Sequence, residues 1–251
     1  VYANRDTSGK TIKPEISYFN PVIFYRPVEY SLGSADNALM GFNVKCQLNS
    51  NHQLYTQIAI DEFNFKLLRT DKGWWGNKQA FQIGYKWYNI FKVKGLGIQT
   101  EYNFIRPYVY SHGLVQQNYS HLNQPLAHPL GANLTEGIAI LRYQYKRWMY
   151  ENIINYIIYG QDTNGVNFGG DIFKSYYFNR PNDFGNYTSQ GLQSERTNIT
   201  FRTSYYIWPK AYLSIDVGIT WRINQTSFKR YEFRGFYLGI RSRIFNSYSD
   251  F

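Results

Sequence analysis

Residues Thr197 to Ile223 read TNITFRTSYYIWPKAYLSIDVGITWRI, two long arms about a tight turn at Trp208-Pro209-Lys210. In the second arm Ala211, Leu213, Ile215, Val217, Ile219, Trp221 and Ile223 share one face, while Tyr212, Ser214, Asp216, Gly218, Thr220 and Arg222 share the other. The first arm repeats the pattern, with Ile199, Phe201, Tyr205 and Ile207 opposed to Asn198, Thr200, Arg202 and Ser204. Strict alternation of this kind is the mark of a strand with one apolar and one polar face. The arms exceed the usual strand length of about 3–10 residues. At about 3.3 Å per residue and a tilt near 40°, a ten-residue strand rises roughly 25 Å, the height of the apolar band of an outer-membrane barrel. A soluble sandwich or lipocalin-like barrel with its apolar face inward is also compatible with this one hairpin.

Working outward, the same alternation marks strands at Leu39–Leu48, Gln53–Asp61, Gln79–Tyr88, Leu96–Ile105, Thr135–Lys146 (turning at Arg147-Trp148), Met149–Tyr159 and Arg234–Phe245. Glu15–Tyr25 is β-rich, but Pro21 argues against a central strand there. Connections alternate short and long along the whole chain, the long ones being Asp61–Lys78, Arg106–Asn133, Gly160–Gln193 and a loop around Asn224–Phe233. Bacterial outer-membrane barrels have short periplasmic turns and longer extracellular loops. The short-turn end carries Trp87, Tyr88, Phe91, Trp148, Tyr205 and Trp208, the composition of an interfacial aromatic girdle. Lys45, Lys86, Glu101, Arg142, Arg202, Asp216, Arg222, Arg241 and Arg243 fall on the face opposite the apolar one, and in a membrane register they line the lumen. A charged residue on the lipid face at mid-membrane costs roughly 2–4 kcal/mol, so this parity fits a barrel, although a soluble barrel's exterior has the same parity.

Composition limits the alternatives. No run of about 18 apolar residues occurs, so any membrane crossing is made by strands. One cysteine, Cys46, excludes an intrachain disulfide framework. The net charge of +10 is scattered through alternating strands rather than gathered in a block, which argues against nucleic acid and favours acidic glycans or lipopolysaccharide phosphates. Residues 1–14 read as a polar linker and 15–251 as the barrel domain. The chain opens at Val1 with neither Met nor signal peptide, and the expectation is that a preceding segment exists. It ends on Phe251, an aromatic terminus of the kind that barrels present to their assembly machinery.

Three stretches carry a family resemblance: Asn20 to Leu39 (NPVIFYRPVEYSLGSADNAL), Gly73 to Lys78 (GWWGNK), and Arg106 to Asn133, beginning RPYVYSH and ending YSHLNQPLAHPLGAN. They resemble the Wzi-type capsule-assembly barrel family, in the Bacteroidetes branch that includes the gliding-motility protein RemB. The later strands agree only in pattern. The resemblance implies an eighteen-stranded antiparallel transmembrane β-barrel in the bacterial outer membrane. The nine or ten strands here would be its C-terminal half. It also implies binding of surface polysaccharide, or a partner in gliding motility or type IX secretion. The candidate ligand-binding residues in these stretches are Arg26, Glu29, Trp74, Trp75, Arg106, His112, His121, Asn123 and His128.

Chemistry beyond binding finds little support. No G-x-S-x-G, P-loop or dinucleotide fingerprint occurs, so no enzyme activity is expected. The spacing of His112, His121 and His128 is wider than that of structural zinc pairs, and no metal site is assigned to them. Asp162, Asn164 and Asp171 sit among glycines and offer oxygen ligands for Ca²⁺, but without the closing Glu of an EF-hand. No cofactor is otherwise expected. The other functions kept open are a channel with a basic lumen and a soluble glycan-binding β protein.

Overall fold

The computed structural model describes residues 39–62, 66 and 72–242. The linker, the β-rich stretch Glu15–Tyr25, Arg26, Glu29, Arg243 and Phe251 lie outside the described residues. The chain is all-β: a nine-stranded antiparallel sheet plus a two-stranded hairpin. The strands are β1 (Met40–Asn49), β2 (His52–Glu62), β3 (Lys78–Tyr88), β4 (Leu96–Ile105), β5 (Ser120–His121), β6 (Gln124–Pro125), β7 (Leu134–Tyr145), β8 (Trp148–Gln161), β9 (Leu192–Trp208), β10 (Leu213–Thr226) and β11 (Arg230–Arg241). The large sheet runs β1-β2-β3-β4-β7-β8-β9-β10-β11, so each strand pairs with its neighbour in sequence. Among the described residues, β1 and β11 are each paired on one side only. No helix among the described residues is long and apolar enough to cross a membrane.

The nine strands expected from alternation all form, but three connections differ from expectation. The last hairpin closes through Ser227–Lys229 alone, so the expected long loop around Asn224–Phe233 is absent. The Thr226 hydroxyl accepts from the Phe228 and Lys229 amides at 3.3 and 3.1 Å, and the Thr226 amide donates to the Lys229 carbonyl at 2.8 Å. These bonds let strand pairing run on to Gln225 and Arg230. The β7–β8 turn sits at Lys146-Arg147 rather than Arg147-Trp148, because Lys146 takes the left-handed conformation (φ 52°) and Trp148 already pairs with Tyr145. At the β9–β10 turn, Pro209–Ala211 forms a 3-10 turn closed by Tyr212 at φ 49°.

Register puts the two faces of every strand in common. One row of cross-strand partners reads Phe42, Ile58, Phe81, Phe104, and another reads Leu141, Asn152, Phe201, Ile219, Phe236. This apolar face is uncovered: Phe42, Ile154, Phe201, Ile219, Phe236, Leu238 and Ile240 are all exposed. Asn152 is a polar interruption. The opposite, polar face is the sheltered one, with Gln53, Asn103, Glu136, Glu151, Ser204, Ser214 and Asp216 buried. On it, glycines make room for rings: a Cβ on Gly84 would stand 2.0 Å from Tyr55 Cζ, and one on Gly218 2.3 Å from Tyr237 Cζ. The aromatics at the short-turn end cluster, with Trp87 against Phe91 at 5.5 Å and Trp148 against Tyr205 at 4.9 Å.

The principal apolar core lies at the long-loop end. Val109, Tyr110, Ala132 and Ile172 from the loops pack on Ala80, Ile105, Leu134 and Ile157 from the strand ends. Each large side chain so covered contributes roughly 1.5–3 kcal/mol. Asn133, fully buried at φ 60°, ties the loops together. Its side-chain Nδ2 donates to the Gly160 and Gln190 carbonyls at 3.2 and 2.9 Å, and its Oδ1 accepts from the Gln190 backbone amide at 3.1 Å.

Candidate functional site

Two regions concentrate polar and aromatic chemistry: the folded loops and the polar face beneath them. The loops are anchored by a lysine. Residues 61–62 end β2 and residue 78 opens β3, with Glu62 opposite Lys78. Lys78 is 0% exposed, and its Nζ lies 3.4 Å from Asp61 Oδ2, 3.2 Å from Glu62 Oε2 and 3.2 Å from the Ser111 carbonyl. It also sits 4.6 Å above the Tyr176 ring, while Asp61 Oδ2 accepts from the Tyr110 amide at 3.1 Å. One ammonium thus holds β2, the loop 106–133 and the loop 162–191 together.

Trp74 and Trp75 lie beside this anchor. The Arg180 guanidinium stacks 4.0 Å over Trp75, and Tyr176 packs against the same indole at 4.7 Å. The Trp75 amide donates to the Asp183 carbonyl at 3.0 Å, and Arg106 Nη2 reaches the Trp74 and Asn186 carbonyls, both at 3.4 Å. The tryptophans and Arg106 therefore join three loops, those before β3, after β4 and after β8, and all three side chains are partly buried. In the loop 162–191 the rings of Tyr177, Phe178, Phe184 and Tyr187 stand out into solvent. Sequence reading did not single these out, because nothing in a Gly/Asn-rich loop tells which rings fold inward.

The three loop histidines go to different places. His112 packs edge-on against Tyr176 at 5.4 Å, and burial, helped by the nearby Lys78 ammonium, lowers its pKa. His128 Nε2 lies 3.0 Å from Glu136 Oε2 on the polar face. His121 is exposed in β5, beside Asn123 (φ 59°) in the tight turn to β6. Among the described residues no group of three His, Cys, Asp or Glu could hold a metal. At the loop proposed for Ca²⁺, Lys174 Nζ sits 2.5 Å from Asp162 Oδ2 and 3.5 Å from Asp171 Oδ2, so an ammonium already occupies the space between the two carboxylates. Asn164 turns the chain at φ 53°.

On the polar face, Lys86, Glu101, Arg142, Arg202, Asp216, Arg222 and Arg241 share one side of the sheet. Arg142 Nε donates to Glu151 Oε2 at 2.6 Å, Arg202 donates to the other oxygen of Glu151, and Arg241 Nε lies 3.0 Å from Asp216 Oδ2. Glu101 accepts from Tyr55 (2.6 Å), Gln82 (3.0 Å) and Asn103 (3.0 Å). Glu136 accepts from Asn103 (3.0 Å) and Asn155 (3.1 Å). Lys86 lies 5.3 Å from the Tyr55 ring centroid. Glu136 and Glu151 escaped the sequence reading. The Arg147-Trp148 turn would have set Arg142 opposite Ile153, whereas the turn one residue earlier sets it opposite Glu151.

This arrangement contains charge-assisted hydrogen bonds, an aromatic surface and a sheltered polar wall; it can bind and orient polar ligands. Comparison of the chain with protein-family models, curated proteins and solved structures finds no match to any of them.

Proposed function

We propose that the nine-stranded sheet is part of the wall of an outer-membrane β-barrel of Wzi-like kind, non-enzymatic, whose folded loops bind surface polysaccharide. The observation that carries this reading is the inversion of the sheet: the apolar face is exposed and the polar face is sheltered. A soluble sandwich or lipocalin-like barrel covers its apolar face, whereas a transmembrane barrel turns it to lipid. On β8, Trp148 to Ile158 rises roughly 25 Å at a 40° tilt, the thickness of the hydrocarbon band. In this reading the single-sided edges β1 and β11 pair with the remaining strands of an eighteen-stranded barrel. Tyr177, Phe178, Phe184 and Tyr187 supply faces on which sugar rings stack, above a base held by Lys78 and Arg180.

The test combines fractionation and binding. The full-length protein is expected in the outer-membrane fraction, migrating differently on gels before and after heating. Purified in detergent, it is expected to retain surface polysaccharide from its own cells, and changing Tyr177, Phe178, Phe184 and Tyr187 together to Ala is expected to abolish retention without changing heat-modifiability. Recovery as a folded monomer in water without detergent would overturn the barrel. Equal retention by the four-residue variant would overturn the binding role of the loops, and recovery of secretion or motility proteins in place of glycan would reassign them to a protein partner.

A further inference from the structure

The upper part of the polar face, on β9 to β11, holds two arginines that are treated differently from the others. Arg142, Arg202 and Arg241 each bond a carboxylate. Arg196 and Arg222 instead bond side-chain amides: Arg196 Nε donates to Asn224 Oδ1 at 2.8 Å, and Arg222 Nε donates to Asn198 Oδ1 at 2.7 Å. In the register Asn224 is opposite Arg196 and Arg222 is opposite Asn198, so the four side chains form a reciprocal square on two adjacent strands. Arg196 is further held over the Tyr159 ring at 5.5 Å. Among the described residues neither guanidinium takes part in an ion pair. The nearest polar-face carboxylate in that row, Glu136, is two strands away, about 10 Å at ordinary strand spacing, and is already bonded by Asn103, Asn155 and His128. An amide acceptor fixes a guanidinium without neutralising it, and leaves its terminal nitrogens for an anionic oxygen.

The next strand adds two rings. Tyr231 pairs with Asn224 and Phe233 with Arg222, so both share the polar face, and they are 58% and 57% exposed. Oriented cations beside open aromatic faces are the two groups that an acidic sugar engages, one with its carboxylate or phosphate and the other with its ring.

We infer that Arg196, Arg222, Asn198, Asn224, Tyr231 and Phe233 form a binding site for an acidic saccharide, an inference that rests on the polar face lining the inside of the barrel. It is separate from the loop aromatics. Arg230, Glu232 and Arg234, which bond one another, have the opposite parity and serve as the control surface.

The experiment titrates the purified full chain with a short oligogalacturonate and with a malto-oligosaccharide of the same length, by calorimetry. The acidic oligomer is expected to bind at least tenfold more tightly, with affinity falling as salt rises. Arg196→Gln with Arg222→Gln is expected to remove at least tenfold of that affinity, Phe233→Ala to weaken it, and Arg230→Gln to leave it unchanged. Should the double Gln variant fail to fold, Arg196→Lys with Arg222→Lys keeps the charge while losing the planar fork, and is expected to fall between the two. Equal binding of acidic and neutral oligomers, or full affinity in a folded double variant, would overturn the inference. Loss of acidic binding in the loop-aromatic variant instead would place the site in the loops, overturning this inference while leaving the loop reading intact. Absence from the outer membrane would refute the barrel, and with it the placing of this site inside one; that failure is told apart from failure of the site itself, because the titration is read on purified protein in either case.

Discussion

Replacing Lys78 by Met keeps a long apolar stem in a fully buried position and removes only the ammonium. The loss falls unequally on its partners. Glu62 is 39% exposed and rehydrates, so that arm is worth about 1 kcal/mol or less. Asp61 is 1% exposed and loses the ammonium while its carboxylate stays buried, and removing one member of a buried pair costs about 3–5 kcal/mol. The contact with the Tyr176 ring adds about 0.5–2 kcal/mol, but it overlaps the same desolvation and does not sum independently. The expected destabilisation is therefore about 3–5 kcal/mol. It should be concentrated in the loops, because Lys78 also bonds the Ser111 carbonyl and Asp61 holds the Tyr110 amide. Urea unfolding in detergent, with hydrogen exchange of amides 108–119 as local readout, measures both. Adding Asp61→Asn removes the buried charge while keeping an acceptor for Tyr110, and should restore at least half of the loss. A single variant within about 1 kcal/mol of wild type, or a double variant no better than the single, would refute the assignment of Lys78 as the anchor.

Gly84→Ala should destabilise by about 1–2 kcal/mol, because displacing Tyr55 also breaks its bonds to Glu101 and Gln99, whereas Gly137→Ala, with nothing within 4 Å, should be neutral or slightly stabilising; equal thermal shifts for the two would sink this reading. The loops should also respond to pH at both extremes. Burial raises the Tyr108, Tyr110 and Tyr176 phenols, so their contribution is complete below the unfolded value of about 10 and is lost as pH rises from there toward the folded values. His112 is lowered, so its contribution is complete above about 6.5 and is lost as pH falls toward the folded value. Tyrosinate absorbance and loop proteolysis across the pH range check both signs, and greater loop protection above pH 10 or below 6 would contradict them.

The alternation from Thr197 to Ile223 determined which residues share a face, because successive side chains on a strand point to opposite sides whatever lies beside them. For that reason Arg202, Asp216 and Arg222 could be placed on the polar face, and Ile215, Val217 and Ile219 on the other, from residue order alone. Which of them meet was decided by register, and register depends on turn geometry to the residue. A turn at Trp208-Pro209-Lys210 that set Ile207 opposite Ala211 would have put Arg222 against Arg196. The 3-10 turn with left-handed Tyr212, followed by a register shift at Leu213/Ser214, moves the pairing so that Arg196 and Arg222 each face an asparagine. The loops were the least legible part. Nothing local marks Lys78, Tyr108 and Asn133 for burial, yet they are drawn inward by contacts among segments far apart in the chain. Local periodicity carries the two faces of a strand, but only the tertiary structure brings distant charges within bonding distance.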